Sequence, residues 1–233
     1  MGVIRGARER ARAEVTKAIK DEARKQVLAE GAARLSLRAV ARELGITSST
    51  LYRYFPSRDE LLTALIVDAY DAIGAAAERA LGKSGPAGSI EEWIAVCQAV
   101  RRWALAHPHE YALIYGSPVP GYSAPSDTVG PASRVVLVLF SIAASAHAAG
   151  ALEVPAAAGP AADGIGPDAR QIVRESGHEL SPAAVPQLAA VWAQLFGLLS
   201  FEVFGRFDRV VDARDDLFDQ AVLGLARQAG FRP

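Results

Sequence analysis

A single cysteine among 233 residues excludes a disulfide framework and any Cys-based zinc module. Excess charge is missing too. The 25 Lys and Arg against 26 Asp and Glu leave a formal net charge of −1, which for the whole chain argues against a generic polyanion binder. Strand-like alternation of apolar and polar residues is scarce. The N-terminus carries charge but no apolar run behind it, so no signal peptide is expected. The most apolar stretch, 135–152, is interrupted by His147 and Gly150 and is rich in Ala and Ser. A membrane span needs about 20 strongly apolar residues, so this stretch reads as a buried helix and the expected compartment is the cytoplasm. No Ser-His-Asp order, phosphate-binding Gly-Lys loop or Gly-x-Gly-x-x-Gly occurs. An enzyme is therefore not expected, nor is a cofactor. His107 and His109 flank Pro108 without a carboxylate or Cys cluster, so no metal site is expected.

What is present is a chain 51% hydrophobic and 22% charged, long enough to bury a proper core. Its charge is unevenly spread. Residues 1–60 hold 13 Lys/Arg and 8 Asp/Glu, leaving +5; residues 61–233 hold 12 and 18, leaving −6. That split suggests a basic nucleic-acid module on an acidic body.

Periodicity predicts an all-α fold. A basic arm, Arg5 to Arg12, leads into a first helix over 13–30, with Val15, Ile19, Ala23 and Val27 on one face. Ser36 caps a second helix, which Gly45 ends. Thr47 caps a third, running to about Tyr54, and Ser57 caps a fourth that fades near Leu81. Ser89 caps a fifth, with Trp93, Val96, Cys97, Val100 and Ala104 inward. A short helix over 108–115, an apolar one over 131–150 and two more over 182–206 and 212–230 complete the chain. Residues 150–181, rich in Ala, Gly and Pro, are too long for an ordinary connection and are expected to be mobile in part.

The second and third helices, joined by a tight Gly turn, form a helix-turn-helix candidate. Val40 and Ala41 face inward, Gly45 supplies a left-handed turn position, and Ile46 and Leu51 pin the third helix. Ser48, Ser49, Thr50, Tyr52, Arg53 and Tyr54 are then outward, the hydroxyls, phenols and guanidinium that reach phosphates and base edges.

Residues 35–62, LSLRAVARELGITSSTLYRYFPSRDELL, resemble the helix-turn-helix signature of TetR-family transcriptional regulators. Residues 106–125 and 191–205 resemble a ligand-binding body found within that family. There Trp-x-x-x-His-Gly is usual; here Trp192 and Gly197 match and Phe196 takes the place of the His. The resemblance implies an all-α homodimer with a DNA-binding head over 1–60 and an effector-binding and dimerisation body over 61–233. By position, it implies DNA contacts from Ser36, Arg38, Thr47, Ser48, Ser49, Thr50, Tyr52, Arg53, Tyr54 and Arg58. Ser48, Ser49 and Arg53 are the base-edge candidates. Ser36, Arg38, Thr50, Tyr52 and Tyr54 are expected on phosphate, and Arg58 as a clamp on a flanking phosphate.

Trp93, Cys97, Trp103, Tyr111, Tyr115, Phe140, His147, Trp192 and Phe196 read either as core or, together, as the lining of an apolar cavity with few polar anchors. His147, lone on an apolar run, suits a hydrogen-bonded core residue better than a ligand contact. Ala189, Ala193 and Gly197, with Ala221 and Gly224, are small residues at helical spacing. They suit either packing within the chain or, as the resemblance implies and as favoured here, a four-helix interface between two copies. The expected function is a repressor that binds a palindromic operator as a dimer and is released by a small, mostly apolar effector. The alternatives are a regulator without an effector, controlled by a protein partner, and a small-molecule carrier whose DNA head is vestigial.

Overall fold

The computed structural model describes residues 2–153 and 184–232. Most of the segment expected over 150–181 lies outside these. Among the described residues every regular element is helical, apart from one isolated bridge between Leu152 and Phe231. The helices are α1 (Gly2–Glu30), α2 (Leu37–Glu43), α3 (Ser48–Tyr52), α4 (Arg58–Ala80), α5 (Ile90–Ala106), α6 (Pro108–Tyr115), α7 (Val129–Ala148), α8 (Ala184–Val203) and α9 (Arg214–Ala229). The expected arm is itself helical: α1 begins at Gly2, not near residue 13. Ala, Arg and Glu, all good helix formers, dominate this stretch, and after Gly6 nothing breaks it.

The predicted caps form. Ser36 accepts from Ala39 N–H, Thr47 from Thr50, Ser57 from Glu60 and Ser89 from Glu92. Each satisfies one of the four backbone donors that a helix start leaves over.

The chain divides into two compact units, each described on its own. One comprises residues 1–69 and 109–129, the other 70–108 and 130–233. The boundary thus falls inside α4, and the segment 109–129, which a single division after residue 60 assigns to the body, folds with the head. In the first unit, Ile19 and Ala23 of α1 are fully buried beside Leu37, Val40, Leu51, Leu61 and Leu62. Asp68 of α4 binds Lys20 at 2.7 Å and also Arg24, which pairs with Asp21 at 2.8 Å and approaches Glu110 of α6 at 3.7 Å.

In the second unit, Trp93, Val96 and Val100 of α5, Ile142 of α7, Leu195 and Leu199 of α8, and Phe218 and Val222 of α9 build the core. Helix α7 is long and apolar enough to cross a membrane, yet Val135, Val138, Leu139, Phe140, Ile142 and Ala143 are among its buried residues, as a core helix requires. Arg134 of α7 bonds Asp71 at 2.7 Å and Glu78 at 2.6 Å, and its hydrogen bond holds the Glu78 carboxyl below the usual carboxylate range. Gly74 makes room for it, since a Cβ there would lie 2.7 Å from that of Arg134.

Gly88 sits at φ 79° with its absent Cβ directed 2.3 Å from the backbone nitrogen of Ala146. Gly88→Ala combines a left-handed penalty of about 1–2 kcal/mol with about 1–3 kcal/mol of overpacking against backbone that cannot yield. Thermal denaturation should show a melting temperature several degrees lower; an unchanged one would mean that the α5 entry relaxes freely.

Candidate nucleic-acid interface

Gly45, at φ 65°, turns the chain between α2 and α3. Its N–H donates to Arg42 O at 3.1 Å and that of Ile46 to Ala41 O at 3.0 Å. Leu51 is wholly buried, with Val40 and Ala41 at 1% exposure, so the rotation of α3 is set by packing. That leaves Thr47, Ser49, Tyr52 and Arg53 exposed, and Ser48, Thr50 and Tyr54 half-buried. Thr47 Oγ1 lies 3.0 Å from Ser49 Oγ and 2.8 Å from Thr50 Oγ1, which gathers three hydroxyls at the start of α3. Arg53 and Arg38 are exposed and enter no ion pair among the described residues. Ser36 is half-buried: its hydroxyl caps α2, and its N–H donates to Gln26 Oε1 at 2.9 Å.

Arg58 differs from expectation. Its Nη2 donates to Ala32 O at 2.9 Å and Ala33 O at 3.2 Å, and its Nη1 lies 3.1 Å from Asp59. The guanidinium ties the start of α4 to the turn after α1, with Nη2 committed to those two carbonyls. The sequence reading missed Arg12, whose guanidinium lies over the Tyr54 ring, 5.6 Å from its centroid. Charge marks the arm as basic; only the contact places one of its cations beside Tyr54, just past the end of α3.

The expected effector residues divide between the two units. Tyr111 and Tyr115, with ring centroids 5.1 Å apart, belong to the first unit. Trp93, Cys97, Phe140 and Phe196 are buried in the second. Trp192 is half-buried, 5.9 Å from Phe196 and edge-on to it. Trp103 stacks on His107 and borders an open groove of about 490 Å³ that also has Arg79, Lys83 and Arg102 in its lining, cationic where an apolar wall was expected. His147 is exposed at the last turn of α7, with Nδ1 3.4 Å from Leu152 O, so it is not a core residue. Burial pushes the Cys97 thiol far up, so it is an inert neutral group. Among the described residues, Trp93 Nε1 is the buried side-chain polar atom without a hydrogen-bond partner, and none form a metal-binding cluster of three or more His, Cys, Asp or Glu.

Residues 19–65, which enclose the α2–α3 pair, match the family described as bacterial regulatory proteins of the tetR family, and residues 93–225 match the tetracyclin repressor-like C-terminal domain. The chain belongs to the TetR family. Similar proteins include HTH-type transcriptional regulators of Mycobacterium tuberculosis and Mycobacterium bovis, 41% identical over 203 residues, covering 87% of this chain and 86% of theirs. The crystal structure of the regulatory protein SCO4313 is 33% identical with a TM-score of 0.74, over 93% of this chain and 97% of that one. A TetR-family regulator from Marinobacter aquaeolei shares the fold at 15% identity, with a TM-score of 0.64 over 97% and 99% of the two chains. This TetR-family chain is thus a DNA-binding transcriptional regulator of helix-turn-helix type.

Proposed function

We propose that this TetR-family regulator is a repressor that acts in the cytoplasm and binds a palindromic operator as a homodimer. Its release is by a small, mostly apolar effector. Helix α3 enters the major groove: Arg53, Ser48 and Ser49 meet base edges, while Arg38, Thr50, Tyr52 and Tyr54 meet phosphate. Thr47 organises the hydroxyls that open α3, and Ser36 caps the supporting helix. The observation that carries this reading is Arg53, exposed and without an ion pair among the described residues, at the C-cap of a helix whose rotation the buried Leu51 sets. Two copies of α3 would read half-sites about 34–36 Å apart.

Support for a dimer through α8 and α9 comes from Ala189, Ala193 and Gly197, which are exposed, and from Phe201 at 54% exposure on the same helix. Leu188, Leu195 and Leu199 are meanwhile spent on the chain's own core. Support for an effector comes from Trp93, whose buried indole N–H has no partner; an acceptor on a ligand would recover about 1–3 kcal/mol of desolvation. The effector enters among α5, α7 and α8 and acts through α4, which is common to both units. A coupling of about 1–3 kcal/mol changes operator affinity several-fold to a hundredfold, provided the effector prefers the state with misplaced heads.

Selection of bound sequences from random duplex DNA tests the first part, and recovery of no palindrome defeats it. A compound screen by thermal shift, followed by operator release, tests the second. If no compound shifts the melting temperature, control by a protein partner becomes the better reading.

A further inference from the structure

Helix α1 changes character along its length. Its later cations are all neutralised: Lys17 pairs with Asp21 at 2.6 Å, Lys20 with Asp68 at 2.7 Å, Arg24 with Asp21 and Asp68, and Lys25 with Glu22 at 2.7 Å. Arg8, Arg10 and Arg12 are exposed and form no ion pair among the described residues, although Glu9 and Glu14 lie close in the chain. Every residue from Ala7 to Glu14 is exposed, so these turns bury nothing that would account for their presence.

The contact of Arg12 with Tyr54 orients this segment. Arg8 stands one turn before Arg12 on the same stripe, about 6 Å further along the axis. Glu14 lies off that stripe at 100° per residue, and Glu9, three residues before Arg12, flanks it without pairing with either guanidinium. The result is a short row of unneutralised guanidinium groups on a helix, anchored beside Tyr54, two residues past the end of the reading helix. Duplex DNA offers one phosphate per strand about every 3.4 Å of axis.

We propose that the N-terminal turns of α1 are a second DNA-contacting element, in which Arg8 and Arg12 bind backbone phosphates flanking the groove read by α3. The inference rests on the operator-binding reading and deepens it. Phosphate contacts carry no base information, so the element contributes affinity and salt dependence, not sequence choice. Arg12 is already held against Tyr54, which lowers the ordering cost of binding.

Arg8→Ala in the full-length protein is the test, because it leaves the Arg12–Tyr54 contact alone and alanine preserves the helix. Affinity for the DNA selected by the unaltered protein is measured across about 50–300 mM KCl, where counterion release is resolved. The log–log slope should become shallower by about 0.9 per subunit, about 1.8 for a dimer, with base preference unchanged. Affinity near physiological salt should fall on the order of tenfold. Arg8→Ala with Arg12→Ala should roughly double the change in slope. An unaltered slope in both variants overturns the inference while leaving the operator reading standing. So does a changed base preference at constant slope, which would make α1 a positioning element. If the unaltered protein binds no sequence with a salt-dependent affinity, the operator reading fails and takes this one with it.

Discussion

Arg53→Ala is expected to lower affinity for the selected operator by at least about thirtyfold and to relax the preference at one base pair in each half-site. A bidentate guanidinium on a guanine edge discriminates by about 1–3 kcal/mol, and a symmetric dimer loses two such contacts, about 2–6 kcal/mol together. Folding stability should barely move, within about 0.5 kcal/mol, because Arg53 is exposed and enters no ion pair among the described residues. Fluorescence anisotropy on the operator and on single-base variants separates the two effects. A uniform loss over all sequences would place Arg53 on phosphate. No loss at all would remove it from the interface.

Arg101→Met is expected to produce the largest loss of stability. Arg101 of α5 binds Glu202 of α8 through two hydrogen bonds, Nε to Oε2 at 2.8 Å and Nη2 to Oε1 at 2.6 Å, and reaches Asp215 of α9 at 2.7 Å. Its guanidinium also lies over the Phe218 ring, 4.8 Å from the centroid. The Glu202 side chain is only 5% exposed, whereas that of Asp215 is 89% exposed. The pair with Asp215 is therefore worth little, and the cost lies in leaving Glu202 buried without a counter-charge, about 3–5 kcal/mol. At about 2–4 °C per kcal/mol for a chain of this size, the melting temperature should drop by about 6–20 °C. Adding Glu202→Leu should restore most of it, because apolar replacement of both partners is often neutral or better. Should the double variant be no more stable than the single one, the loss comes from the packing of Arg101 on Phe218 and not from the orphaned carboxylate.

The head was legible in the sequence because its determinants are local. Ser36, Thr47 and Ser57 each bind a donor three residues on, and Gly45 turns where a left-handed residue is needed. Leu51 is the only aliphatic side chain between Ser48 and Tyr54, so hydropathy alone turns it inward. The start of α1 was misjudged for the opposite reason. Its run of charge suggests an arm, although Arg, Glu and Ala favour helix without any tertiary partner. Further along, the aromatic residues could not be sorted. Tyr111 folds with the first unit and Trp93 with the second, and no spacing along the chain distinguishes the two.

By itself the sequence determined the all-α class, the helix-turn-helix and its exposed reading face, and through these the family. Caps, breaks and apolar periods act over three or four residues, and the chain states them directly. Only tertiary structure decided what each charged or polar group is spent on. Arg58 holds the carbonyls of Ala32 and Ala33, His147 reaches Leu152 O, and Glu202 needs Arg101 from a hundred residues earlier, while Arg12 rests on Tyr54. A guanidinium or carboxylate can satisfy itself in water, on a phosphate or on a distant partner at similar free energy. Which of these it takes depends on what the fold brings within about 3 Å of it.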